Sequence, residues 1–352
     1  MTRSTLTALM CAGILGAGVL VSAPATAAPA GTAPTAGTEL SGKTVFLDPG
    51  HQGTAHSENL QRQVDDGRGG TKDCQTTGMT TLDGVPEHTI NWKVSELVRS
   101  SLESLGATVK TSRADDTGWG GCVDDRARAA SESGADVAVS IHADSTSATT
   151  DADKHGFHLI VPTLPIPSAA ADAAQSERGR SASTLMRDSY VRAGFEPANY
   201  AGVENGIQER SDVAGPALTT VPLVFVEMGN GSNPDDAALL ESSDGQLKHA
   251  IAISTGIIDY LLGAETPSTT ADTATTPAAT TTATIAAPAP TAPSDAGPAT
   301  EGRSALSRLL ESVSPYVNSF GVDGLEGLAT PDNVSSVSTF AQGLLKQILA
   351  DR

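Results

Sequence analysis

Positive charge is scarce in this sequence: Lys and Arg number 22 against 41 Asp and Glu, a formal net charge of −19. That imbalance excludes nucleic acid and anionic membrane as partners held by bulk electrostatics, since both repel an acidic surface. The acidity names no partner of its own; it keeps a chain soluble. Aromatic residues are few as well, two Trp, four Tyr and six Phe. The apolar 39% is therefore carried by aliphatic side chains and alanine. The extended apolar stretch near the start, from about Leu6 to Val21, falls short of the ~20 residues that a membrane span needs.

What is present divides the chain into five stretches. Arg3, the apolar stretch and Ala25-Thr26-Ala27 form the pattern of an export signal over residues 1–27, cleaved near Ala27. The product is expected to be secreted, to the periplasm or the cell wall. No small residue precedes Cys11, which argues against a lipoprotein anchor there. Cleavage removes Cys11 and leaves Cys74 and Cys122. An even pair in an exported chain points to one disulfide, with two buried thiols as the alternative. Residues 28–42 are an Ala/Pro/Thr/Gly-rich lead-in, residues 43–263 a folded unit, and residues 264–300 a Thr/Ala/Pro-rich linker. Residues 301–352 regain helical apolar spacing, with Leu306, Leu309, Leu310 and Val313 on one face and Val337, Phe340, Leu344 and Ile348 on another. This tail could dock on the folded unit, bind an unknown protein partner, or pair with itself.

Inside the folded unit, strand and helix patterns alternate. Strands are expected at 44–47, 108–111, 136–141, 156–161 and 223–226, and helices at 87–105, 124–133, 177–193 and 246–262. Such alternation predicts an α/β fold: a single domain whose central, twisted, mostly parallel or mixed sheet is flanked by helices.

Three possible metal ligands stand at the ends of these elements. His51 follows Asp48-Pro49-Gly50 after the first strand, His142 follows Ser140-Ile141 after a buried strand, and Glu87 opens the long helix after Pro86. Ligands in open α/β sheets bind beyond the carboxyl ends of strands. A His₂Glu set is a known catalytic zinc arrangement that keeps a fourth position for water. Each residue also has a plainer reading: a histidine after a strand can serve a turn, and Glu87 can simply complement the helix dipole. Glu227 ends the apolar run Pro222–Val226 and is either a surface carboxylate just clear of the sheet or a general base raised by burial. His56, His88, His155, His158 and His249 are weaker candidates. His158 lies within a strand and His249 on a helix, where packing or solvent accounts for them.

Together these segments resemble a known family. Val45 to His51, Glu87 before an amphipathic helix, Ser140-Ile141-His142-Ala143, Val221 to Glu227, and Asn233 look like the zinc-dependent N-acetylmuramoyl-L-alanine amidases of the amidase-3 group. Arg113 and Arg126 also fall where that family carries arginines. The resemblance implies Zn²⁺ held by His51, Glu87 and His142, Glu227 as the catalytic carboxylate, and peptidoglycan as substrate. Two departures stand out: Asp144 replaces the usual Asn, and Met228-Gly229-Asn230 replaces the usual Gly-Phe pair. A polar, Gly-rich insertion from about Thr54 to Asp83 separates the first two ligands. A Cys74–Cys122 bond would tie it down, either to stabilise a long loop or to shape a wall of the cleft. A non-catalytic wall-binding module and a zinc peptidase acting on the stem peptide remain the alternative functions.

Overall fold

The computed structural model describes residues 39–263. The export segment, nearly all of the lead-in, the linker and the tail lie outside the described residues. In chain order the elements begin with β1 (Thr44–Pro49), β2 (Gln63–Asp65), β3 (Thr71–Asp73), α1 (Glu87–Ser104), β4 (Thr108–Thr111), α2 (Val123–Glu132) and β5 (Val137–Asp144). There follow β6 (His158–Pro162), α3 (Ala169–Ala173), α4 (Arg180–Arg192), β7 (Ile207–Arg210), α5 (Ala214–Leu218), β8 (Leu223–Asn230), α6 (Pro234–Glu241) and α7 (Ser243–Leu261).

Six strands form one sheet in the order β4-β1-β5-β8-β6-β7. The four from β4 to β8 run parallel, β6 is antiparallel to β8, and β7 is parallel to β6. This is the mixed α/β sheet expected from the alternation. Successive strand residues face opposite sides, and the two faces differ in kind. Val45, Leu47, Val139, Ile141, Val224 and Val226 join the large core cluster. Helix α1 packs Ile90, Val94, Val98 and Leu102 into the same core, along with α4 and α7. The other face carries Phe46, Ala138 and Leu223 in a small cluster, then Asp48, Ser140, His142, Phe225 and Glu227 toward the strand ends. Short helices lie over this second face, among them α2, of 10 residues, and α5, of 5. Helices so short leave its upper half open, and the polar side chains gather there.

Several boundaries differ from the sequence reading. The strand expected from Gly156 begins at His158. The helix expected from Glu177 begins at Ala169 as α3 and reaches α4 through one π turn, Ala174–Gly179. Helix α7 starts at Ser243 because the Ser242 hydroxyl accepts from Gly245 N–H. Strand β7 and the β2–β3 hairpin were not expected, since their short polar runs carry no clear apolar alternation. Among the described residues no helix is long and apolar enough to cross a membrane.

Candidate metal centre

The turn after β1 is built to hold His51. Gly50 N–H donates to Ile141 O at 2.9 Å, and His51 itself adopts a left-handed φ of 61°. A non-glycine residue persists there only when its surroundings over-determine it. Here two buried arginines do so. Arg126 donates to Asp48 Oδ1 at 2.8 Å, to Pro49 O at 2.9 Å and to His51 O, while Arg113 Nε donates to Pro49 O at 3.0 Å. Burial opposes ionisation of Asp48, but Arg126 and the Ser112 and Ser140 hydroxyls outweigh it and bring its pKa down to about 2.

Glu87, at the first position of α1, is the hub of the site. His51 Nε2 lies 3.0 Å from Glu87 Oε2, and His142 Nδ1 lies 3.1 Å from Glu87 Oε1. Backbone N–H groups of Met79 and Ala143 and the Asn91 amide donate to the same carboxylate at 2.8, 3.1 and 3.1 Å. Burial works against its charge, yet the two imidazoles hold the carboxyl well below the usual range. His51 is pushed the other way: burial lowers its pKa, and Glu87 more than restores it. For His142, burial wins and keeps the ring below the ordinary histidine value. The ring of His142 stacks on Phe225 with centroids 4.5 Å apart.

The insertion contributes directly to this cluster. His51 Nδ1 donates to Thr76 O at 3.0 Å, which turns Nε2 toward Glu87. A side chain at Gly78 would meet Glu87 Oε2 and His51 Cδ2, each at 2.7 Å, so only glycine allows the loop to close over the pair. A disulfide joins Cys74 to Cys122, one of the two outcomes left open for these cysteines. A second acidic group, Cys122, Asp124 and Asp125, is not a metal site, because the Cys122 sulfur is in that disulfide.

Glu227 stands beside these groups on β8, paired across the sheet with His142 on β5. Burial, then repulsion from Glu87 and Asp144, pushes its pKa well above the usual carboxylate value. All four residues singled out from the sequence line one cleft of about 400 Å³, together with Asp144 and insertion residues such as Met79. The ligand atoms of His51, Glu87 and His142 lie within 4.8 Å of one another and could hold a metal ion. Two imidazole nitrogens and one carboxylate suit zinc's preference for N and O donors, with Thr76 O behind His51 and the donors of Met79, Asn91 and Ala143 behind Glu87. Sequence reasoning missed the Thr76 and Met79 backbone partners, which no residue type announces, and the amide of Asn91.

The chain is similar to several known proteins. A family model described as N-acetylmuramoyl-L-alanine amidase matches residues 45–259. The N-acetylmuramoyl-L-alanine amidase Rv3717 of Mycobacterium tuberculosis is 39% identical over 222 residues, covering 63% of this chain and 88% of the relative. Crystal structures of the N-acetylmuramyl-L-alanine amidase Ami1 from Mycobacterium smegmatis and from Mycobacterium abscessus are each 42% identical, with TM-scores of 0.58. They match 63% of this chain and 98% and 99% of their own chains, respectively. The chain therefore belongs to the N-acetylmuramoyl-L-alanine amidase family.

Proposed function

We infer that this chain is a secreted zinc amidase that hydrolyses the bond between N-acetylmuramic acid and L-alanine in peptidoglycan. Family membership supports the reaction. The observation that carries the chemistry is the convergence of His51, Glu87 and His142 in one cleft, with Glu227 beside them. His51, Glu87 and His142 hold the metal. Bound Zn²⁺ supplies Lewis acidity, which lowers the pKa of a water toward ~7 and polarises an amide carbonyl. The remaining work belongs to the protein. Thr76 O fixes which His51 nitrogen is presented, and the donors around Glu87 fix its carboxylate. Glu227 removes a proton from the attacking water and passes it to the departing alanine nitrogen, as a carboxylate of raised pKa is suited to do. The export pattern over residues 1–27 supports delivery to the wall, where such a substrate lies.

The reading is tested by metal analysis of the purified protein and digestion of isolated wall material with and without a chelator. An amidase frees L-alanine amino termini, leaves the glycan intact, and stops on chelation. Release of terminal amino acids would instead make the chain a peptidase of the stem peptide, and binding without release a wall-binding module.

A further inference from the structure

Acidic side chains crowd the cleft that holds the candidate ligands: Asp48, Asp73, Glu87, Asp144 and Glu227 all line it. Two cationic side chains stand among them, Arg126 and Lys72. Arg126 is committed to Asp48 and to the carbonyls of Pro49, His51 and Gly121. Lys72 is not. Among the described residues its Nζ gives one hydrogen bond, to Asp212 O at 2.8 Å, and an ammonium has three to give. The side chain is half-buried, and burial works against its charge. An anion brought beside such a group relieves that penalty. Arg210, at the end of β7, is close enough for Lys72 to feel its charge. Its Nε and Nη2 go to Asp212 at 2.9 and 2.5 Å, which leaves Nη1 to give.

The place of this pair in the sheet decides which part of a substrate it meets. Along the order β4-β1-β5-β8-β6-β7, His51 follows β1, His142 lies on β5, Glu227 on β8, and Arg210 at the end of β7. Lys72 reaches the same edge from the β2–β3 hairpin, because Asp212 comes two residues after β7. With the metal ligands toward β1 and β5 and the base on β8, the nitrogen that Glu227 protonates departs toward β6 and β7. The peptide released with that nitrogen therefore passes the two cations. The hairpin itself is held without Lys72. Arg68 donates to Thr163 O at 2.6 Å and to Pro165 O at 3.1 Å, and the Cys74–Cys122 disulfide closes its base.

We propose that Lys72, with Arg210 beside it, forms a subsite for a carboxylate on the peptide side of the scissile amide. The subsite selects stem peptides whose acidic groups are free over those whose acidic groups are amidated. The inference deepens the proposed amidase reaction and rests on it. A carboxamide in the same place offers a neutral acceptor, roughly half as strong a partner for an ammonium as a carboxylate. Lys72 meets the departing peptide and sets specificity; it does not touch the reacting atoms.

The test uses two soluble probes, N-acetylmuramoyl-L-alanyl-D-glutamate and its diamide, which differ only in carboxylate against carboxamide. kcat/KM is measured on both for the metal-loaded wild type, Lys72→Met and Lys72→Arg. The wild type should favour the acid about 10-fold, the scale of one hydrogen bond to a charged group. Lys72→Met should abolish that preference, mainly through KM, and Lys72→Arg should keep it. A wild type indifferent to amidation overturns the proposal. So does a Lys72→Met variant that loses both rates and keeps their ratio, which would make Lys72 only a strut for the hairpin. A second measurement does not depend on any variant folding: the wild-type preference should shrink as salt is raised, because a partly exposed charge pair is screened. A preference that salt leaves unmoved also overturns the assignment. Failure to cut the acid probe, while wall material still yields L-alanine amino termini, overturns the subsite alone. If the wild-type chain frees none from either, it is the underlying function that fails.

Discussion

The backbone carbonyl of Thr76 accepts a hydrogen bond from Nδ1 of His51 at 3.0 Å. Three residues further on, Met79 N–H donates to Glu87 at 2.8 Å. One short segment thus steadies two of the three candidate ligands, and it begins two residues after Cys74. The Cys74–Cys122 bond closes a loop of 48 residues and anchors that segment to the start of α2. Replacing both cysteines by serine should lower stability by about 4 kcal/mol on the chain-entropy model. Metal affinity should weaken about 10- to 100-fold, the usual effect of losing outer-shell partners. Urea unfolding reads the first and chelator competition the second. Unchanged metal affinity would mean that the segment keeps its place without the cross-link.

Glu227→Gln separates metal binding from proton transfer. The amide keeps the size of the side chain but cannot accept a proton. Since Glu227 is not among the three grouped ligands, bound metal should remain at the wild-type level. Turnover should fall about 10²- to 10⁴-fold, the range typical of a lost general base. Near wild-type hydrolysis by a metal-loaded variant would remove Glu227 from the mechanism.

How much of this was legible beforehand depended on where each residue stands in the fold. His51 could be picked out because it follows a buried strand, His142 because it ends the apolar run of β5, and Glu87 because it opens a helix. Their convergence was hidden by the long stretches of chain between them. It comes from the pairing of β1 with β5 and the packing of α1 against both, which sets three distant segments side by side. Strand β7, reading Ile-Gln-Glu-Arg, escaped notice because an edge strand with exposed positions lacks a strong apolar pattern. Thr76 and Met79 act through backbone atoms, whose partners no side chain reveals. For His158 the sequence offers packing or solvent, and the structure buries it in β6 opposite Glu227.

Asp48 should make the fold acid-sensitive. Its folded pKa of about 2 lies below the ordinary 3.8, so its charged form is favoured by folding. The resulting stabilisation is full above about pH 4 and is lost as pH falls toward 2; a shift of this size is worth about 2 kcal/mol. Asp48→Asn removes the partner of buried Arg126 and should cost about 3–5 kcal/mol at neutral pH. Urea midpoints of the two proteins should draw together between pH 4 and pH 2. A constant gap across that window would show that the carboxylate is not held by Arg126 and the two serines.

Gly50→Ala tests whether the ligand turn tolerates any side chain. The backbone of Gly50 is not in the left-handed region, so alanine carries no conformational penalty there. The obstacle is steric: a Cβ at Gly50 would fall on the imidazole of His142, well inside contact distance. That ring cannot retreat freely, because it is stacked on Phe225 and bonded to Glu87. Overpacking of this kind costs about 1–3 kcal/mol, which a domain of this size should survive. The ligand set should not survive it, since His142 must turn away from the carboxylate. The variant is therefore expected to fold, with near-native circular dichroism, while metal affinity and hydrolysis fall together. Wild-type metal affinity in Gly50→Ala would mean that His142 has another orientation open to it, and the close approach of the turn to the ring would then lose its significance.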